Sequence, residues 1–166
     1  EGATPYAASM VITGSQFLSN TASNGMGGGL MFYGWLTIAD SRFDGNRAIW
    51  GGGGGIYATG PITLTGVEFT NNSATQSGTS GGAVNAVSGP ATNIIAAMTN
   101  VTVTGNTAVE TAGGVLLDGY ARATLVGGRF EANRCTDNGC IGGGLTLAND
   151  TPASLTATQF ISNEAG

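Results

Sequence analysis

The sequence predicts an all-β fold: a right-handed parallel β-helix, a solenoid of about six coils. Three observations predict it. Two short signals alternate strictly along the chain, their copies recur at a spacing near 26 residues, and the segments between them read as strands.

The first signal is an apolar residue, two variable residues, then Asn. It pairs Phe17 with Asn20, Phe43 with Asn46, Phe69 with Asn72, Val103 with Asn106, Phe130 with Asn133 and Phe160 with Asn163. The second is a Gly pair beside an aliphatic residue. It occurs at Gly28-Gly29-Leu30, Gly54-Gly55-Ile56, Gly81-Gly82-Ala83-Val84, Gly113-Gly114-Val115 and Gly143-Gly144-Leu145. Successive copies of the first signal lie 26, 26, 34, 27 and 30 residues apart. A fixed coil with loop insertions explains that series. The largest insertion falls between Val84 and Val103 and contains the turn sequence Ser88-Gly89-Pro90.

Helical repeats do not suit this pattern, because each Gly inside a helix costs about 1 kcal/mol. The leucine-rich repeat pattern is also missing. Stretches such as Ile62-Thr63-Leu64-Thr65 and Val101-Thr102-Val103-Thr104 alternate as half-buried strands do.

Alignment on the Phe position exposes columns. Five residues earlier stand Ile12, Ile38, Leu64, Met98, Leu125 and Leu155, an interior column. Three residues earlier stand Gly14, Asp40, Gly66, Asn100, Gly127 and Ala157, mostly residues that tolerate positive φ and so mark a bend. One residue earlier stand Gln16, Arg42, Glu68, Thr102, Arg129 and Gln159, an outward polar column. A single coil is too thin to bury its apolar face, so coils stack about 4.8 Å apart, like residue on like. The Phe column then fills the interior. The structural Asn column (Asn20, Asn46, Asn72, Asn106, Asn133, Asn163) sits at a turn, where amides bond to each other and to the backbone. The Gly pairs mark corners or close backbone approaches. Right-handed crossovers follow from the general chirality of parallel connections.

Composition removes several functional classes. Thirty glycines without a three-residue period are not collagen. A net charge of −5, with only five basic residues, argues against nucleic acid as a partner. No apolar run approaches the ~18 residues of a membrane span, so membrane insertion is not expected. Residues 1–166 read as one domain. The first residue is Glu, which suggests a removed targeting segment or a piece of a longer chain. Cys135 and Cys140 flank a turn and are a disulfide candidate, against a reading as two free thiols.

The alternation of Gly-Gly-[Ala/Leu/Val/Ile] with Phe-x-x-Asn resembles the repeats of chlamydial polymorphic outer membrane proteins. Similar repeats occur in large surface proteins of other bacteria, algae and protists. The resemblance runs from about Val11 to Asn163, and Val103 departs from it. It implies a β-helical, surface-exposed passenger that acts in adhesion. It carries over no binding residue, and these residues hold no counterpart of the family's anchoring barrel.

No catalytic, cofactor-binding or metal-binding residues are expected. Asp40 and Asp44 are near neighbours, but both fall at turns and no adjoining copy reinforces them. With no His, and two Cys in one turn, half a zinc site is the most the chain offers. Arg42 and Glu68 share a column and are expected to pair across coils. Thr13, Thr65, Thr99 and Thr156 share one outward column, interrupted by Ala39 and Val126. Thr37, Thr63 and Thr124 share another, which raises ice binding as a minor reading. Sequons at Asn71, Asn100 and Asn149 are N-glycosylation candidates.

The ends show no capping helix, and Phe160 to the Phe17 of a following chain would be 23 residues, close to one coil. Coils are therefore expected to continue past both ends, within a longer polypeptide or through head-to-tail self-association into a fibre. The sequence is read as a non-enzymatic, extracellular or cell-surface structural or adhesive module. The alternative is a carbohydrate-binding or carbohydrate-processing β-helix.

Overall fold

The computed structural model describes residues 8–88 and 94–166. Within them every named strand pairs in parallel with its equivalent one coil away, and no helix occurs. The result is a β-solenoid of about six turns. Three faces carry six-stranded sheets and the fourth carries five strands.

Each coil visits the faces in one order. Sheet A begins with Ser9–Thr13, sheet B with Gln16–Leu18, sheet C with Thr21–Ala22 and sheet D with Leu30–Tyr33. The next coil repeats them at Trp35–Ala39, Arg42–Asp44, Arg47–Ala48 and Ile56–Thr59. Register is kept throughout. Phe17, Phe43, Phe69, Val103, Phe130 and Phe160 are direct neighbours down sheet B. In the middle coils this column is fully buried, as are Ile38, Leu64 and Leu125 of sheet A. The inserted segment leaves this order intact. Gly89 and Pro90 of its expected turn lie outside the described residues, but Val84–Val87 before it and Ile95–Thr99 after it hold their places in sheets D and A.

The corners are made by left-handed residues. The expected bend column has positive φ at every member, from 47° at Asp40 to 65° at Gly127. A second such column, which sequence reasoning did not single out, lies two residues after each Phe: Ser19, Gly45, Asn71, Gly105, Ala132 and Ser162. Few of these are glycine. Non-glycine αL residues cost about 1–2 kcal/mol each, and here the stacked register holds them in place.

The Gly pairs have two separate jobs. A Cβ on the first member would strike the backbone of the next coil's sheet C strand: Arg47 for Gly28, Ser73 for Gly54 and Glu164 for Gly143. A Cβ on the second member would press on the next coil's interior side chains. It would lie 3.0 Å from the Phe43 ring at Gly29 and 3.1 Å from the Phe69 ring at Gly55. By register Ala83 takes the place of Gly29 and Gly55, one coil before Val103, and the Val103 side chain lies 3.2 Å from where a Cβ on Gly114 of its own coil would sit. The one pair whose second member has gained a methyl thus precedes the one coil whose column has lost its ring. Ring stacking follows suit. Phe17–Phe43 and Phe43–Phe69 stack at 4.4 and 5.1 Å, and Phe130–Phe160 at 4.9 Å, with the break at Val103. A methyl gained one coil before a ring is lost is the pattern expected if volume is exchanged between coils rather than kept at one position.

This pairing is testable by a double-mutant cycle. Val103→Phe alone is expected to destabilise by about 1–3 kcal/mol through overpacking. Adding Ala83→Gly should recover part of that loss in urea unfolding. Strict additivity of the two changes would contradict the compensation.

Candidate functional site

The most highly organised polar feature is the Asn column at the B–C corner. Asn46, Asn72, Asn106 and Asn133 are completely buried. Each spends its whole amide. The Oδ1 of Asn72 accepts from the backbone N–H of Asn46 at 3.0 Å and from its Nδ2 at 2.9 Å. The Nδ2 of Asn72 donates to Asn106 Oδ1 and to the Phe43 carbonyl, both at 2.9 Å. The same four bonds recur at Asn46, with Asn20 before it, Asn72 after it and the Phe17 carbonyl. They recur again at Asn106 and Asn133. An amide has two donors and two acceptor sites, so the interior members are saturated. That removes the cost of burying them, which is otherwise several kcal/mol.

The ladder has a direction. From Asn20 to Asn133 each Asn donates its backbone N–H and one Nδ2 hydrogen to the Asn of the next coil, while from Asn46 to Asn163 another Nδ2 hydrogen goes back to the preceding coil's carbonyl. Among the described residues, Asn20 Oδ1 accepts from nothing, and the backbone N–H of Asn163 donates to nothing. In the same coil as Asn163, Leu155 and Phe160 are each 44 % exposed.

Cys135 takes the place of alanine in the inward column of sheet C, stacked on Ala108 and below Ala165, and is fully buried. It is joined to Cys140 by a disulfide that closes a five-residue separation. The three sequon asparagines are all exposed, with φ of 54° at Asn71, 51° at Asn100 and 49° at Asn149. They are not brought together, and their surroundings differ. Asn149 Nδ2 donates to Asp118 at 2.5 Å, whereas the side-chain amides of Asn71 and Asn100 make no hydrogen bond among the described residues.

The charged groups correct one expectation. Arg42 and Glu68 are register neighbours, but Arg42 binds Asp44 of its own strand at 2.8 Å instead. Residues two apart on a strand point the same way, and the fork reaches the nearer carboxylate. Arg129 repeats this with Glu131, and Arg134 meets Glu164 across coils at 3.3 Å. These pairs are exposed enough to contribute little to stability. Asp40 is separate from Asp44: its Oδ1 leans over Gly66 of the next coil, 2.8 Å from where a Cβ would sit. Among the described residues no group of three or more His, Cys, Asp or Glu is placed to hold a metal ion.

One feature was not foreseen. Tyr120 is 1 % exposed and its hydroxyl donates to the Gly60 carbonyl, two coils away, at 2.8 Å. Its only sequence signal was an aromatic residue outside the Phe column. The two Thr columns expected on the outer face of sheet A are in register. Val11, Thr37, Thr63, Ala97, Thr124 and Ser154 form one ladder, and Thr13, Ala39, Thr65, Thr99, Val126 and Thr156 the next. No member is charged, and none of their hydroxyls bonds to another described residue.

Comparison of the chain with protein-family models, with curated proteins and with solved structures finds no match.

The ladder makes a quantitative claim. Asn72→Ala leaves the Asn46 N–H and one Asn46 Nδ2 hydrogen without their acceptor, takes one of two donors from Asn106 Oδ1 and the side-chain donor from the Phe43 carbonyl, and is expected to cost about 3 kcal/mol or more. Asn72→Asp keeps the shape but loses both donors and buries a charge. At neutral pH it should cost at least as much as alanine in urea unfolding. A loss below about 1 kcal/mol for either variant would contradict the saturated ladder.

Proposed function

We propose that this protein is a structural or adhesive module of an extracellular or cell-surface assembly, a rod extended by stacking further β-coils on its ends. The observation that carries this reading is the direction of the Asn ladder. Among the described residues Asn20 Oδ1 has no donor and the Asn163 N–H no acceptor, so a further coil carrying the same Asn, whether of this chain or of another copy, would continue the ladder. The columns are complementary as well, since Phe160 would meet Phe17 and Leu155 would meet Ile12. Open strand edges invite such pairing, and a heterologous head-to-tail contact generates a fibre. The resemblance to surface-protein repeats supports a location outside the cell.

A second reading, ice binding, has one observation in its favour: the uncharged, in-register hydroxyl ladders on sheet A. Their spacing of about 4.8 Å between coils and about 6.6 Å along each strand resembles oxygen repeats of ice surfaces. Faceted ice growth and thermal hysteresis with the purified chain would favour it. Unmodified ice growth would retire it.

End-to-end stacking is tested by light scattering on a sizing column and by electron micrographs of the purified chain. Concentration-dependent oligomers elongated along the coil axis are expected. Leu155→Asp with Phe160→Asp should hold the chain as a monomer with an unchanged β spectrum. A wild-type chain that stays monomeric at high concentration would overturn self-stacking.

A further inference from the structure

Resting on the extracellular reading, we propose that two of the three sequons, Asn71 and Asn100, are the sites of N-linked glycans, and that Asn149 is not. All three have the required Asn-x-Ser/Thr pattern. What separates them is how the folded chain uses each amide.

Asn71 and Asn100 occupy αL corners at the two ends of sheet B, in adjoining coils. Asn71 follows Glu68–Thr70 and Asn100 precedes Thr102–Thr104. Both are exposed, and neither amide nitrogen is spent within the described residues. Each side chain leans over a glycine of the next coil, Gly105 below Asn71 and Gly127 below Asn100. The missing Cβ leaves room for Oδ1 at each corner, and Nδ2, with no hydrogen bond among the described residues, is available for a substituent.

Asn149 is bound into its turn. Its Nδ2 donates to Asp118 one coil back. The sequon hydroxyl of Thr151 is 8 % exposed, accepts the Tyr120 N–H at 3.0 Å and donates to the Ala148 carbonyl at 2.8 Å. A sugar there would have to share Nδ2 with the Asp118 bond and would crowd the D–A corner.

The co-reactant is a lipid-pyrophosphate-linked oligosaccharide. The amide nitrogen displaces the pyrophosphate from the sugar's C1: the N–C1 bond forms, the C1–O bond breaks, one amide proton is lost, and lipid pyrophosphate leaves. Glycans at these two corners would flank the short strands of sheet B and cover its Arg- and Glu-bearing face. Sheet A, sheet D and both ends of the rod would stay free.

The test is intact mass of the chain made in a eukaryotic secretory pathway behind a cleavable leader, before and after enzymatic removal of N-glycans, in medium and in cell lysate. Two glycan increments are expected. One should vanish in Asn71→Gln and in Ser73→Ala, the other in Asn100→Gln and in Thr102→Ala. Asn149→Gln should leave the count unchanged. The Ser73→Ala and Thr102→Ala variants keep the corner Asn, so a folding defect cannot imitate the loss. A secreted chain with no glycan, or one whose glycan depends on Asn149, overturns the assignment. Two glycans on a chain retained in the cell keep the assignment and count against the surface reading.

Discussion

A column of buried amides governs this fold. Parallel coils of unequal length are free in principle to slip against each other, and sheet C, at two residues per strand, has little to resist slippage. The Asn ladder supplies that resistance. A buried amide is tolerated only when its donors and acceptors are met. Here each partner is the same residue one coil away, together with the carbonyl of the preceding coil's apolar column residue. A register shift would break four bonds per amide at once. Apolar stacking alone would penalise a shift far less, because neighbouring interior columns are chemically alike.

Two other constraints follow from that register. Once Asn fixes the B–C corner, the chain must return across sheet C to sheet D in little space, and the first glycine of each pair passes against the next coil's backbone. The second glycine at Gly29 and Gly55 lies against the next coil's ring, and the departures at Ala83 and Val103 fall in adjoining coils. The disulfide acts in the same region of a later coil, tying the Cys135 position of the inward alanine column to the loop that follows it. Long-range order therefore arises from neighbour-to-neighbour contacts repeated along one axis.

Most of the architecture was legible in the sequence because each column repeats. Phe and Asn at fixed spacing revealed the interior and the corner, and Gly14, Asp40 and Gly66 revealed the bend. Features that occur once were harder to read. The Tyr120 bond to Gly60 depends on a corner that no other coil builds. The Arg42–Asp44 pair depends on a choice between two carboxylates, which register alone does not decide. The second αL column was hidden because Ser19, Ala132 and Ser162 have no intrinsic preference for positive φ; the stack imposes it. The functional reading depends on the outer faces and the ends, where a repeat constrains little. That is why columns identified the fold more readily than the partner.

The central claim is that the Asn ladder is as firmly closed as the sheets it joins. Native-state hydrogen exchange of the backbone N–H groups of Asn46, Asn72, Asn106 and Asn133 tests it directly, because each donates to a side-chain amide rather than to a strand. Exchange as slow as that of the neighbouring sheet B amides, and only through global opening, is the expected result. Exchange at the rate of exposed turn amides would mean that the corner opens independently and that the ladder does not set the register.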